Sequence, residues 1–129
     1  MSKTLAEMIG DAQSQIEEIA PDVASDEIAS GKAIVLDVRE PVEWESHISG
    51  AVQVPRGLLE FVADASSPKH NVALDPSRRV IVYCRSGARA ALASATLKSM
   101  GFEHVANLKG GFNGWAAAGL PVAEHHADL

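Results

Sequence analysis

An α/β domain, a parallel sheet covered by helices on both faces, is predicted by three features of this 129-residue sequence. Short apolar runs recur at Ala33-Ile34-Val35-Leu36, Val80-Ile81-Val82-Tyr83 and Val105 to Leu108, each too short for a helix and apolar enough for a strand buried on both sides. Segments with apolar residues at helical spacing alternate with these runs. Glycines and prolines mark the joints, among them Pro21, Gly31, Pro41, Pro55, Gly101, Gly110-Gly111 and Gly119.

Leu5, Met8, Ile9, Ala12, Ile16 and Ile19 fall at helical spacing and Pro21 ends the pattern, which predicts one amphipathic helix over residues 1–21. Its apolar stripe either packs on its own domain or docks a partner, a second copy of the chain or another protein. The main domain is expected at residues 22–122. Ser25-Asp26-Glu27 before Ile28, with Gly31 beyond, predicts a short capped helix. Ala33 to Leu36 is a buried strand ending at Asp37, and Arg39-Glu40-Pro41 breaks it. Pro41 to Ser46 suits one helical turn, and Ala51 to Val54 a further strand closed by Pro55. Leu58 to Ala65 is weakly helical, and Ser66 to Ser77, polar and proline-containing, is a surface loop. Strand Val80 to Tyr83 leads through Cys84 into a helix carrying Ala90, Ala91, Leu92, Ala95, Leu97 and Met100, stopped by Gly101. Strand Val105 to Leu108 precedes the Gly110-Gly111 turn and a last short helix around Trp115, ended by Gly119 and Pro121. Residues 123–129 are expected to form a loose tail.

A hydrophobic content of 47% with 22% charged residues is that of a globular domain. The net charge of −6 and a pI near 5.3 disfavour nucleic acid and anionic lipid as partners, and no apolar run reaches membrane-spanning length. One cysteine cannot form an internal disulfide and Met1 to Leu5 lacks the apolar core of a signal peptide, so the expected compartment is the reducing cytoplasm. A single cysteine also excludes a multi-cysteine zinc site, and His125-His126 are adjacent rather than at ligand spacing. No metal and no cofactor are expected.

The chemistry concentrates at Cys84, the only cysteine in the chain. It stands at the carboxyl end of a strand and the amino end of a helix, where parallel sheets gather their ligands. Unpaired N–H groups and the positive end of the helix favour a thiolate there, and Arg85 and Arg89 act in the same direction. A thiolate attacks electrophilic sulfur at neutral pH, which a thiol does not. A free cysteine is more commonly a small core hydrophobe, but a core cysteine has no need of a glycine-containing, arginine-flanked turn directly after it. Against an acidic chain, the arginine pair suggests a small anionic substrate admitted at one spot; two solvated surface arginines are the alternative.

Three segments together resemble the rhodanese-like sulfurtransferases, over most of the chain from about Val23 to Val122. Leu36-Asp37-Val38-Arg39-Glu40-Pro41 with Trp44, followed by His47-Ile48-Ser49-Gly50-Ala51, resembles the first signature of that family. Val82-Tyr83-Cys84-Arg85-Ser86-Gly87-Ala88-Arg89 resembles its active-site loop, and Gly110-Gly111 with Trp115 and Gly119-Leu120-Pro121-Val122 its closing motif. Ser49 stands where the family usually has proline, a change in the stiffness of a turn. The resemblance implies a three-layer rhodanese-like domain, with an N-terminal helix added to it.

It also implies a two-step transfer in which Cys84 takes the outer sulfur of thiosulfate or a similar small anionic donor and passes it from a persulfide to cyanide or a thiol acceptor. Backbone N–H groups of Ser86, Gly87, Ala88 and Arg89 would then form the nest around the persulfide, with Gly87 permitting the curl. Arg85 faces the pocket mouth or is merely solvated; Arg89 binds donor oxygens or holds the loop by an ion pair. Asp37 and Arg39 support the site, favoured as a structural ion pair over substrate contacts. His47 is read as an orienting residue and Trp115 as a core anchor. A carrier or partner-binding module with negligible turnover remains open. The loop also resembles that of Cys-dependent phosphatases, but their pattern has five residues between Cys and Arg, and here four separate Cys84 from Arg89.

Overall fold

The computed structural model describes residues 2–124. In chain order the elements are α1 (Leu5–Gln15), β1 (Glu17–Ile19), α2 (Pro21–Ala29), β2 (Ala33–Asp37), β3 (Ser46–Ile48), β4 (Val52–Gln53), α3 (Leu59–Ala63), β5 (Arg79–Tyr83), α4 (Ala88–Ser99), β6 (Val105–Leu108), α5 (Gly111–Ala117) and β7 (Val122–Glu124). Short 3-10 turns at Pro41–Glu43 and Arg56–Leu58 complete them. Five strands form one parallel sheet in the order β1, β6, β5, β2, β4. The expected α/β architecture, a central parallel sheet between helical layers, is therefore what the chain adopts.

The two layers follow from strand alternation. Val80, Val82 and Cys84 face one side, with Leu36, Leu59, Ala90, Ala93, Leu97 and Phe102. Ile81 and Tyr83 face the other, with Val35, Ala24, Ala106, Leu108 and Trp115. The first layer is roofed by α3 and α4, the second by α2 and α5. Cys84 thus belongs to the α4 side.

The N-terminal segment differs from the single helix expected over residues 1–21. A capping box between Thr4 and Glu7 starts α1, which ends at Gln15. Ile16 is extended, and Glu17 to Ile19 pair in parallel with Ala106 to Leu108 as an edge strand. Pro21 starts α2 instead of stopping α1: its fixed φ and missing N–H suit the first helical position, so α2 begins four residues before the expected Ser25 cap. Ile19 is accordingly buried in the sheet, and α1 lies on α4 through Ala12. Met8 remains 42% exposed and Leu5 also faces solvent.

A second departure is an antiparallel pair, β3 with β7, registered from Ser46↔Glu124 to Ile48↔Val122. Ala123 and Glu124 therefore belong to a strand rather than to a loose tail, and the Ser46 hydroxyl donates to the Glu124 carboxylate. His125, His126 and the remainder of the tail lie outside the described residues.

The carboxyl ends of β2 and β5 are tied by a buried ionic network. Asp37 and Tyr83 are register partners on the same face. The Asp37 carboxylate accepts from Arg39 Nε and Nη2 at 3.0 and 2.9 Å, from the Arg39 backbone N–H at 2.9 Å and from the Tyr83 hydroxyl at 2.7 Å. Arg39 Nη2 also donates to the Ser46 carbonyl at 2.8 Å, and the Ile48 N–H donates to the Tyr83 oxygen at 3.0 Å, so β3 is held to the sheet by the same groups. The guanidinium lies 4.6 Å from the Phe112 ring centroid, which carries the contact on to α5. Burial works against the Arg39 charge, but the Asp37 carboxylate outweighs it and the guanidinium pKa rises. Burial first and the Asp37 charge second push the Tyr83 hydroxyl far up, so it remains a donor.

Removing one member of a buried pair leaves the other charge unpaired. Asp37→Ala is expected to lose about 3–5 kcal/mol of unfolding free energy, and Tyr83→Phe about 1–3 kcal/mol, both read from urea denaturation.

Candidate active site

Cys84 follows β5 directly and is 1% exposed. Its Sγ accepts the backbone N–H of Gly87 at 3.1 Å and of Ala90 at 3.4 Å. Gly87 is the N-cap of α4, with φ at 128°, a conformation that L side chains rarely adopt. Having no side chain, it cannot cap the helix itself. The cysteine sulfur takes the place that a serine or aspartate oxygen fills at other helix starts. The N–H groups of Ala88 and Arg89, first in the helix, have no acceptor within it and remain available at the same end. Of the four N–H donors expected to form the nest, only that of Gly87 donates to the sulfur; Ala90, whose N–H also does, lies one residue beyond the expected loop. Ser86 and Ala88 are exposed.

The loop is clamped from behind by α5. Phe112 N–H donates to the Cys84 carbonyl at 2.8 Å and Asn113 N–H to the Arg85 carbonyl at 3.0 Å. Such proximity requires Gly111, where an added Cβ would stand 2.6 Å from the Arg85 oxygen and 2.7 Å from the Cys84 oxygen. The double glycine was visible in the sequence as a turn; that it faces the cysteine loop follows only from the fold. Asn107, buried at the end of β6, donates to Glu18 at 2.8 Å and lies 3.4 Å from the Gly87 carbonyl.

At the mouth, Arg89 donates through both Nη atoms to Glu43, at 2.7 and 3.0 Å, and Arg85 Nη2 lies 3.3 Å from the same carboxylate. Arg89 is thus in an ion pair, partly exposed rather than buried, while the Arg85 side chain is 55% exposed. Glu43 sits on the Pro41–Glu43 turn and closes a reciprocal cap with Glu40, accepting its backbone N–H. The Arg89 guanidinium holds the Glu43 carboxyl at about 2, well below the ordinary glutamate value of 4.5, against the opposing effect of burial. Sequence reading did not single out Glu43. The only local signal was its place in the turn expected from Pro41 to Ser46, and no periodicity links it to an arginine 46 residues later.

Asp37 and Arg39 point into the opposite layer from Cys84 and are buried there, so the geometry gives them a structural contact with β3 and α5. His47 Nδ1 is 2.9 Å from the Trp44 carbonyl, and Trp115 lies in the core with Nε1 donating to Pro121 at 2.8 Å. Among the described residues no cluster of His, Cys, Asp or Glu could hold a metal ion, and no helix is long and apolar enough to cross a membrane.

Known proteins are similar to this chain in sequence and in fold. The family described as the rhodanese-like domain matches residues 20–118. The probable adenylyltransferase/sulfurtransferase MoeZ of Mycobacterium tuberculosis is 37% identical over 100 residues, covering 76% of this chain and 24% of that protein, so the chain spans about a quarter of its length. A sulfurtransferase of Allochromatium vinosum is 36% identical over 109 residues, covering 83% of this chain and 94% of its own. The solved structure of a Rhodopseudomonas palustris protein of unknown function, described as a possible tyrosine phosphatase, is similar with a TM-score of 0.87 at 32% identity, covering 95% of this chain and 96% of that one.

Two measurements test the clamp and the ion pair. Gly111→Ala should push the loop off its position and change the rate at which iodoacetamide alkylates Cys84. Gly101→Ala, also at positive φ but with nothing within 4 Å of the added Cβ, should cost only about 1 kcal/mol of backbone strain and leave that alkylation rate unchanged. Because the Glu43 pKa is depressed, its pairing stabilises the fold above the ordinary glutamate value and is lost as pH falls through the folded one. The stability difference between the natural chain and Glu43→Gln should therefore be constant near neutrality and shrink as pH drops from 4.5 towards about 2, followed by thermal melting across that range.

Proposed function

The chain belongs to the rhodanese-like family of sulfurtransferases and sulfur carriers, and from that premise we propose that it moves a sulfane sulfur from thiosulfate or a similar donor to cyanide or a thiol through a persulfide on Cys84. The observation that carries this reading is the placement of Sγ as the capping acceptor of α4, with N–H donors on it from Gly87 and Ala90. Charge that forms on sulfur meets donors already in position, which costs no reorganisation at the moment of reaction.

In the first step the Cys84 thiolate attacks the outer sulfur of thiosulfate. A new S–S bond forms, the donor S–S bond breaks, and sulfite leaves with the electron pair. In the second step cyanide attacks the outer sulfur of the persulfide, and the Cys84 thiolate is restored as thiocyanate departs. Neither step requires a proton to move, which suits a site where His47 is engaged by the Trp44 carbonyl. The persulfide sulfur projects about 2 Å beyond Sγ, at the helix end where the N–H groups of Ala88 and Arg89 have no acceptor within the helix. The nearly closed surroundings of Cys84 favour a small acceptor, or one that offers an extended thiol.

Phosphate chemistry fits less well. A tetrahedral phosphate needs a wider cradle, and the four residues between Cys84 and Arg89 curl so tightly that the Gly87 N–H among them, with the Ala90 N–H just beyond, already closes on sulfur.

With thiosulfate and cyanide supplied together, thiocyanate should form at a rate that Cys84→Ser abolishes, and intact mass should show one added sulfur atom on the natural chain after thiosulfate alone. Equal rates for the two forms, or Cys84-dependent hydrolysis of a generic phosphate ester with no thiocyanate formed, would overturn the proposal.

A further inference from the structure

We infer that Glu43 is a specificity-determining residue, setting the charge of the Cys84 mouth so that the site disfavours dianionic donors and accepts alkyl persulfides. This rests on sulfur transfer through Cys84. Two arginines border the loop, and an arginine fork is the group best shaped to grip the oxygens of a sulfonate-like donor. Here the fork is taken. Arg89 spends both Nη atoms on Glu43, and Arg85 leans on the same carboxylate at 3.3 Å. The negative charge of Glu40 acts on Arg89 as well, so two arginines are offset by two glutamates and the mouth offers a dianion no net attraction. Glu43 does not release its partner by taking a proton near neutral pH, since its pKa lies at about 2. Its side chain is only 14% exposed, although that of Arg89 is 40% exposed.

Thiosulfate must leave as sulfite, with two charges and three oxygens to accommodate, and Glu43 stands where those oxygens would find donors. An alkyl persulfide makes a smaller demand. The Cys84 sulfur bonds to its outer sulfur, the donor S–S bond breaks, and a thiolate leaves with one charge and no oxygens. The transferred sulfur is received by backbone N–H groups that Glu43 does not occupy. Val42, beside Glu43 on the same turn, is 91% exposed and offers apolar surface to an alkyl chain.

The test compares kcat/KM for thiosulfate and for ethyl persulfide, which carries no carboxylate, in the natural chain and in Glu43→Gln, which keeps the shape and removes the charge. Glu43→Gln should raise the thiosulfate value relative to the persulfide value on the order of five- to tenfold, through the KM for thiosulfate. It should also make the thiosulfate reaction fall more steeply with salt, a response that a merely structural glutamate would not produce. An equal change for both donors, upwards, downwards or none, overturns the inference. Should Glu43→Gln fail to fold, the natural chain decides: a thiosulfate kcat/KM nearly flat with salt supports a neutral mouth, and a steep fall refutes it. Absence of a Cys84 persulfide with either donor would instead refute sulfur transfer itself.

Discussion

The ion pair between Asp37 and Arg39, with the Tyr83 hydroxyl as its third member, is the contact on which the arrangement around the site depends. It joins the ends of the two central strands through groups that cannot leave the interior without stranding a charge. From it run the bonds that place β3, through the Ser46 carbonyl and the Ile48 N–H, and the face contact that meets Phe112 on α5. Because the Phe112 N–H in turn holds the Cys84 carbonyl, the network reaches Cys84 through backbone, from the layer opposite to its side chain.

The cysteine loop is consequently held from three directions, each by a different kind of force. Hydrogen bonds from α5 fix its two leading carbonyls from behind, and steric closeness at Gly111 leaves it no room to relax. The N–H groups of Gly87 and Ala90 hold the sulfur from the side of α4. Coulombic attraction between Glu43 and the two arginines tethers the mouth to a turn that precedes β3. A rigid ring of donors around the Cys84 sulfur suits the persulfide anion proposed there, since donors oriented beforehand need not be reorganised when the charge arrives.

The parts of this structure legible in the sequence are those specified by local order. The runs at Ala33 and Val80 read as buried strands because burial on both faces demands an unbroken apolar series. Gly87 marked a backbone that other residues resist, and it is found at φ 128°. Residues 16–19 misled because Ile16 and Ile19 continue a helical spacing, whereas the free edge of β6 captures them by hydrogen bonds between residues some 89 positions apart. Pro21 was ambiguous for the same reason, since a proline that ends one helix is indistinguishable, locally, from one that opens the next. Residues 46–48 and 122–124 were missed because each is too short to show a pattern until it has the other as partner.

By itself the sequence determined the α/β class, the place of Cys84 at a strand end and the turn that it opens, all set by residues adjacent in the chain and by the steric and hydrogen-bonding preferences of those residues. Only the tertiary structure decided that Ala90 completes the donors on sulfur, that Gly111 supports the loop, that Asp37 and Arg39 face the other layer, and that Glu43 occupies the arginines. Those contacts arise where strand ends and helix starts converge, and a burial or a charge pairing between distant segments leaves no periodic trace in either segment alone.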